Sequence, residues 1–178
     1  SVMSESGISK FSASDLRKQL AGKVASAGAN VGMYDHSVLG QASLKDVETM
    51  LQLVYLQFTA PRFDKGDFDN FINRISPMLV NQESNPDFIF SQNVQKTLYG
   101  DNYRRQQLTT ELLQSIKLEH MPAIHKRLYS NAADFRFTFI GNMSEEQLKP
   151  YVEKYIGSLP TASKPSNVYT DDNVNYAK

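Results

Sequence analysis

Phe135-Arg-Phe-Thr-Phe-Ile-Gly-Asn142 is the stretch on which the fold turns. Phe135, Phe137 and Phe139 alternate with Arg136, Thr138 and Ile140. A period of two places the rings on one face, so the spacing predicts a half-buried β-strand over 135–140. Gly141-Asn142 breaks it. Ser144-Glu-Glu-Gln147 then reads as a capping box, in which the Ser hydroxyl and the Gln side chain satisfy each other's backbone donors. The helix that follows carries Leu148, Val152, Tyr155 and Ile156 on one face and stops at Gly157. Beyond Pro160 the chain is rich in Ser, Thr, Asn and Asp, which predicts a mobile tail or linker over 161–178.

Working toward the N-terminus, the pattern is helical. Ser115 is expected to start a helix containing Ile116, Met121, Ile124 and Leu128, with Pro122 near its first turn. Thr109 to Leu113 reads as a short helical turn and Asp101 to Leu108 as a polar connection. Asn85-Pro86 is a cap followed by proline at the first helical position, and Phe88, Phe90, Val94 and Leu98 extend that helix to Gly100. Asp64 is expected to cap a helix striped by Phe68, Phe71, Ile72, Ile75 and Leu79, kinked near Asn73 by Pro77. Ser43 opens the clearest helix, with Asp46 completing an approximate capping box and Leu44, Val47, Leu51, Val54 and Phe58 forming its apolar stripe. Pro61 ends it. Before it, Val24–Val31 and Ser37–Ala42 flank Tyr34-Asp35 and read as a hairpin of small residues. Close packing against a helix is the preferred cause of the small side chains; close approach of a bound peptide is the other. Ser12 or Ser14 caps a first short helix that ends at Gly22. Together these elements give an α+β fold in which helices pack an antiparallel sheet.

Composition bounds the function. Nineteen basic and nineteen acidic residues in 178 give a formal net charge of zero. Such a neutral chain is a poor candidate for coating nucleic acid or an anionic membrane, because both need a basic face. With 40% hydrophobic residues the chain is ordinary globular material, enough for one domain or one plus part of a second. It has no cysteine, which excludes disulfides, thiolate zinc sites and a cysteine nucleophile. No apolar run is long enough to span a bilayer. No signal peptide is read at Ser1-Val2-Met3-Ser4, and a start without Met reads as an excised or processed piece.

The chemistry-bearing motifs are absent. The histidines are His36, His120 and His125. His120 and His125 are five apart, which puts them on different faces of a helix, and neither HExxH nor HxxEH occurs. Surface or half-buried histidines are the preferred reading. There is no GxSxG, Walker loop or GxGxxG. No catalytic or metal-ligating residue is assigned, and substrate-binding residues are left unknown.

Several strings are informative as an ordered set. They are Gly7–Leu16, Gly28-Ala-Asn30, Ser43-Leu-Lys-Asp-Val-Glu48, Leu51–Phe63 with its Phe-Thr-Ala-Pro-Arg core, Leu98-Tyr-Gly100, and Phe135–Asn142 followed by Leu148, Tyr155, Gly157 and Leu159-Pro160. In this order they resemble the insulinase/pitrilysin family of zinc peptidases, the inverzincins, and most closely the second half of bacterial two-half members. The resemblance implies two clam-shell halves around a chamber for unfolded peptide, with zinc held in one half by HxxEH and a distant glutamate. The HxxEH helix would lie just before Gly7, where Ser1–Glu5 supplies no histidine. The distant glutamate would fall near Pro77-Met78-Leu79, and Glu83 is the nearest carboxylate, about a turn too late.

The implied reading is a non-catalytic segment that holds no zinc. Zinc is expected only in the catalytic half of a parent protein. That half and a peptide substrate are the implied partners. Residues 1–108 would be most of one α+β domain, 109–160 a connecting helix plus the first strand and helix of the next, and 161–178 the tail. The alternative is a scaffold or interaction subunit from a family member without zinc in either half. A strand at 135–140 lacking its usual neighbours would expose an edge through which two copies could pair. The relatives imply a bacterial periplasm or cell envelope.

Overall fold

The computed structural model describes residues 6–100 and 102–166. Ser1–Glu5, which supplies no histidine for the expected HxxEH helix, and most of the expected tail, 167–178, lie outside the described residues. The chain divides into two compact units: residues 6–64 with 120–166, and residues 65–119.

The first unit begins at a tight loop. Gly7 takes φ +75°, and a Cβ there would strike the Phe11 carbonyl, so the position requires glycine. Ile8 is buried beside it. Helix α1 (Ala13–Gln19) is capped by Ser12, whose hydroxyl accepts from the Asp15 N–H at 3.1 Å. The hairpin forms as predicted from β1 (Ala25–Val31) and β2 (His36–Ala42). They pair antiparallel with Ala25 opposite Ala42, Gly28 opposite Leu39 and Val31 opposite His36.

Helix α2 (Val47–Thr59) packs across both strands and buries Leu51, Leu53, Val54 and Phe58. Its beginning differs from the expected one. Residues Leu44–Asp46 form a single 3-10 turn, which throws Leu44 off the apolar stripe and leaves it exposed. The expected capping box is not made. The Asp46 carboxylate instead accepts from the Val24 N–H at 2.9 Å and the Ser43 hydroxyl at 2.7 Å, tying the start of the hairpin to the start of the helix. The Val24 hydrogen bond, with that from Ser43, holds this carboxyl below its ordinary value.

Helix α6 (Met121–Tyr129) has Pro122 in its first turn and buries His125 and Tyr129. Helix α7 (Glu145–Tyr151) starts with the predicted capping box between Ser144 and Gln147 and passes into a π-helical turn, Val152–Ile156. The core of this unit joins Val54, Phe58, Tyr129 and Leu159, with Ala27, Val38, Phe135, Phe137 and Ile156 packed around them. Asn131 fixes the chain beyond Pro160. Its carboxamide oxygen accepts from the Ala162 N–H at 2.8 Å, and its nitrogen donates to the Lys164 carbonyl at 3.2 Å.

One expectation is corrected here. Phe135 is extended and burial alternates from Phe135 to Thr138 as predicted, but among the described residues no strand is assigned over 135–140. A strand needs a neighbour to receive its N–H and C=O groups. Among the described residues the sheet contains β1 and β2 alone.

The second unit is helical. It holds α3 (Lys65–Glu83), α4 (Pro86–Tyr99) and α5 (Thr110–Ser115). Pro77 lies inside α3, and Leu79 is buried. Asn85 caps α4 by accepting from the Asp87 N–H at 2.8 Å, with Pro86 at the first position. Of the expected α4 stripe, Phe90, Val94 and Leu98 stay exposed. Thr109, not Ser115, is the cap in the next stretch. Its hydroxyl accepts from the Leu112 N–H at 3.1 Å, and Ser115 ends the helix because Ile116 turns extended.

Candidate functional site

The first unit holds a groove of about 550 Å³. One wall is β2. The facing wall is the extended stretch from Asp134 to Gly141, and the floor is the Met50, Leu51, Val54 and Phe58 side of α2. Leu148 and Ile156 close it.

Aromatic packing holds the extended wall in place. The Phe135 ring meets Phe58 edge-on at 4.8 Å and His36 at 5.0 Å, and stacks on Tyr129 at 5.9 Å. Tyr129 is fully buried, and its hydroxyl donates to the Asn30 carbonyl at 3.0 Å. Burial pushes that phenol up from its ordinary value. Two rings of 135–139 thus grip the core, while Phe139 is partly open and Ile140 is 96% exposed.

The small hairpin residues have a packing cause at Gly40. A Cβ there would lie 2.9 Å from Met50 Cγ and 3.3 Å from Val54 Cγ2, so glycine lets β2 settle onto α2. Gly28 has no such neighbour. The first turn of α2 is clamped to the π-helical turn: the Glu48 carboxylate accepts from Lys154 at 2.9 Å and the Tyr155 hydroxyl at 2.8 Å. These bonds hold Glu48 below and Lys154 above their ordinary values.

The histidines are structural in their surroundings. His125 is buried, and its Nε2–H donates to the Gln57 carbonyl at 2.8 Å. Burial depresses its pKa, against the opposing effect of that hydrogen bond. His36 packs edge-on against Tyr129 at 5.4 Å, and His120 is exposed at the end of the turn Leu118–His120. The position expected for a distant zinc ligand does not fit a metal either. Met78 is 62% exposed, and the Glu83 carboxylate accepts from both the N–H and the hydroxyl of Thr110, at 2.6 and 2.9 Å. Among the described residues, no group of three His, Asp or Glu side chains could hold a metal ion. No described helix is long and apolar enough to cross a membrane.

The groove has an apolar floor beside the Phe135–Ile140 stretch, which pairs with no strand among the described residues. Sequence reading found both walls but did not place them face to face. The alternation at 135–140 was the signal that could have done so.

Comparison with known proteins agrees with the sequence resemblance. Residues 115–177 match the family described as Peptidase M16 inactive domain. The chain is 23% identical over 169 residues to the probable zinc protease PqqL of Escherichia coli strain K12, a match that covers 92% of this chain and 18% of that protein. The crystal structure of the periplasmic protease PqqL superposes with a TM-score of 0.79 at 22% identity, over 99% of this chain and 19% of the other. A peptidase M16 inactive domain from Pseudomonas fluorescens superposes with a TM-score of 0.71 at 18% identity, over 94% of this chain and 41% of the other. The chain therefore spans less than a fifth of the curated relative's length. In its ordered strings and its α+β fold alike, this chain is similar to a non-catalytic segment of an insulinase/pitrilysin-type zinc peptidase.

Proposed function

We propose that this chain forms part of a peptide-binding chamber in a longer zinc peptidase, with hydrolysis carried out by a catalytic half elsewhere. The observation that carries this reading is the groove between β2 and Phe135–Ile140. An extended peptide entering it would hydrogen-bond to the main chain of β2 or of the 135–140 stretch, and its apolar side chains would rest on Val54 and Phe58. Zinc, in this reading, sits only in the catalytic half. The boundaries at 1–108, 109–160 and 161–178 describe how the segment divides between neighbouring domains of that parent. A periplasmic or cell-envelope setting follows from the similarity to PqqL. Without its other half, the same free edge gives the isolated chain a route to a homodimer.

The test has two parts. An unfolded, uncharged peptide titrated into the chain should perturb the ring resonances of Phe135 and Phe137, with no hydrolysis and no stoichiometric zinc. Tight zinc binding by the chain alone would overturn the reading. A parent sequence without HxxEH would favour the scaffold subunit instead.

A further inference from the structure

The groove along β2 is apolar at its floor but charged along one wall. Among its lining residues, Asp134, Arg136 and His36 are the titratable ones. Two of these three are engaged. The Asp134 carboxylate accepts from Asn131 Nδ2 at 3.2 Å and from both the N–H and the hydroxyl of Ser166. The His36 ring is packed edge-on against Tyr129 and Phe135, at 5.4 and 5.0 Å. Arg136 is exposed and has no hydrogen-bond, ion-pair or ring partner among the described residues.

The place of Arg136 follows from the alternation of the wall. Phe135 and Phe137 are half-buried against the core, whereas Arg136 and Thr138 are exposed. A peptide strand lying beside this wall has the same period of two. Its residues abreast of Phe135 and Phe137 share their face and gain by being apolar. The residue between them shares the face of Arg136, at the distance of a cross-strand pair, about 4.5–5.5 Å between Cβ atoms.

A guanidinium is a planar fork of donors that matches a carboxylate. An uncharged side chain opposite Arg136 leaves it to water, and a lysine is repelled. Asp134 ends the turn Ala132–Asp134 at the start of the wall, and its charge is spread over three donors, so it does not neutralise Arg136. We infer that Arg136 makes the groove selective for a peptide carboxylate, presented as an acidic side chain between two apolar ones. The inference rests on the groove being a peptide site and adds which peptides it takes. A C-terminal carboxylate offers the same chemistry, so the experiment separates the two sources.

The test is a titration of the full chain at low salt, followed at the ring resonances of Phe135 and Phe137. The probes are a capped Ser-Val-X-Val-Ser peptide with glutamine, glutamate or lysine at X, and the glutamine peptide with a free C-terminus. The glutamate peptide should bind about fivefold more tightly than the capped glutamine peptide, and the lysine peptide more weakly than either. Arg136→Gln should bring the glutamate peptide to the affinity of the glutamine peptide, and added salt should shrink the preference in the wild type. The exposed, unpartnered position of Arg136 lets the variant fold, and the ring resonances of its free form check that. Equal binding of the glutamate and glutamine peptides, a preference that survives in Arg136→Gln, or a gain from the free C-terminus alone would each overturn the inference while leaving the peptide site standing. No perturbation by any of these peptides would overturn the peptide site and the inference together.

Discussion

Glu83 and Thr110 are joined twice: the carboxylate at the end of α3 accepts both the backbone N–H and the hydroxyl of the first residue of α5, at 2.6 and 2.9 Å. The carboxylate nearest the expected zinc-ligand position is therefore spent on satisfying a helix N-terminus. Glu83→Ala should lower stability by about 1–3 kcal/mol in urea unfolding, and Thr110→Val should lose part of the same energy. The double variant should cost less than the sum, because Glu83→Ala already removes the hydroxyl bond that Thr110→Val deletes. Full additivity would show that the two residues do not act together.

Acid should destabilise the fold through His125. Burial lowers its folded pKa below the unfolded value, so the unfolded chain binds the proton more readily. The resulting stability is fully present above the unfolded pKa of about 6.5 and is lost as pH falls through the folded value. Thermal melts should therefore shift down between neutral pH and about pH 5. His125→Gln, which keeps a donor for the Gln57 carbonyl, should flatten that dependence. An unchanged slope would place the titrating group elsewhere.

Gly40→Ala tests the close packing of hairpin on helix. The added methyl would meet the flexible end of Met50, so the cost should be modest, about 1 kcal/mol, and Gly40→Val should cost about 2–3 kcal/mol as Val54 is also crowded. Combining Gly40→Ala with Met50→Ala should recover part of the loss, measured by denaturant midpoint. Gly28→Ala, which meets open space, serves as the control.

The open edge predicts self-association of the isolated chain. Light scattering should report a concentration-dependent dimer, and Ile140→Lys should shift it to monomer by placing a charge at the exposed end of the 135–140 stretch. Peptide binding in the groove should compete with dimer formation. A strict monomer at high concentration would show that the edge is protected.

The residue order alone determined most of the helices and the hairpin. Ser12, Asn85-Pro86 and Ser144 with Gln147 act within one turn of their own helix, and the α2 stripe of Leu51, Val54 and Phe58 repeats at short range. Such signals are complete within about four residues, so they survive without knowledge of the rest of the chain. The turn from Thr109 was legible, but the helix expected from Ser115 is broken, because Ile116 is extended and the next helix starts only at Met121. The Asp46 bond to Val24 and the Glu83 bond to Thr110 join positions 22 and 27 residues apart, and no local pattern encodes them. The state of Phe135–Ile140 was decided the same way. Its alternation wrote an extended conformation into the sequence, but a strand exists only when another segment supplies the matching hydrogen bonds, and that partnership is a property of the assembled fold.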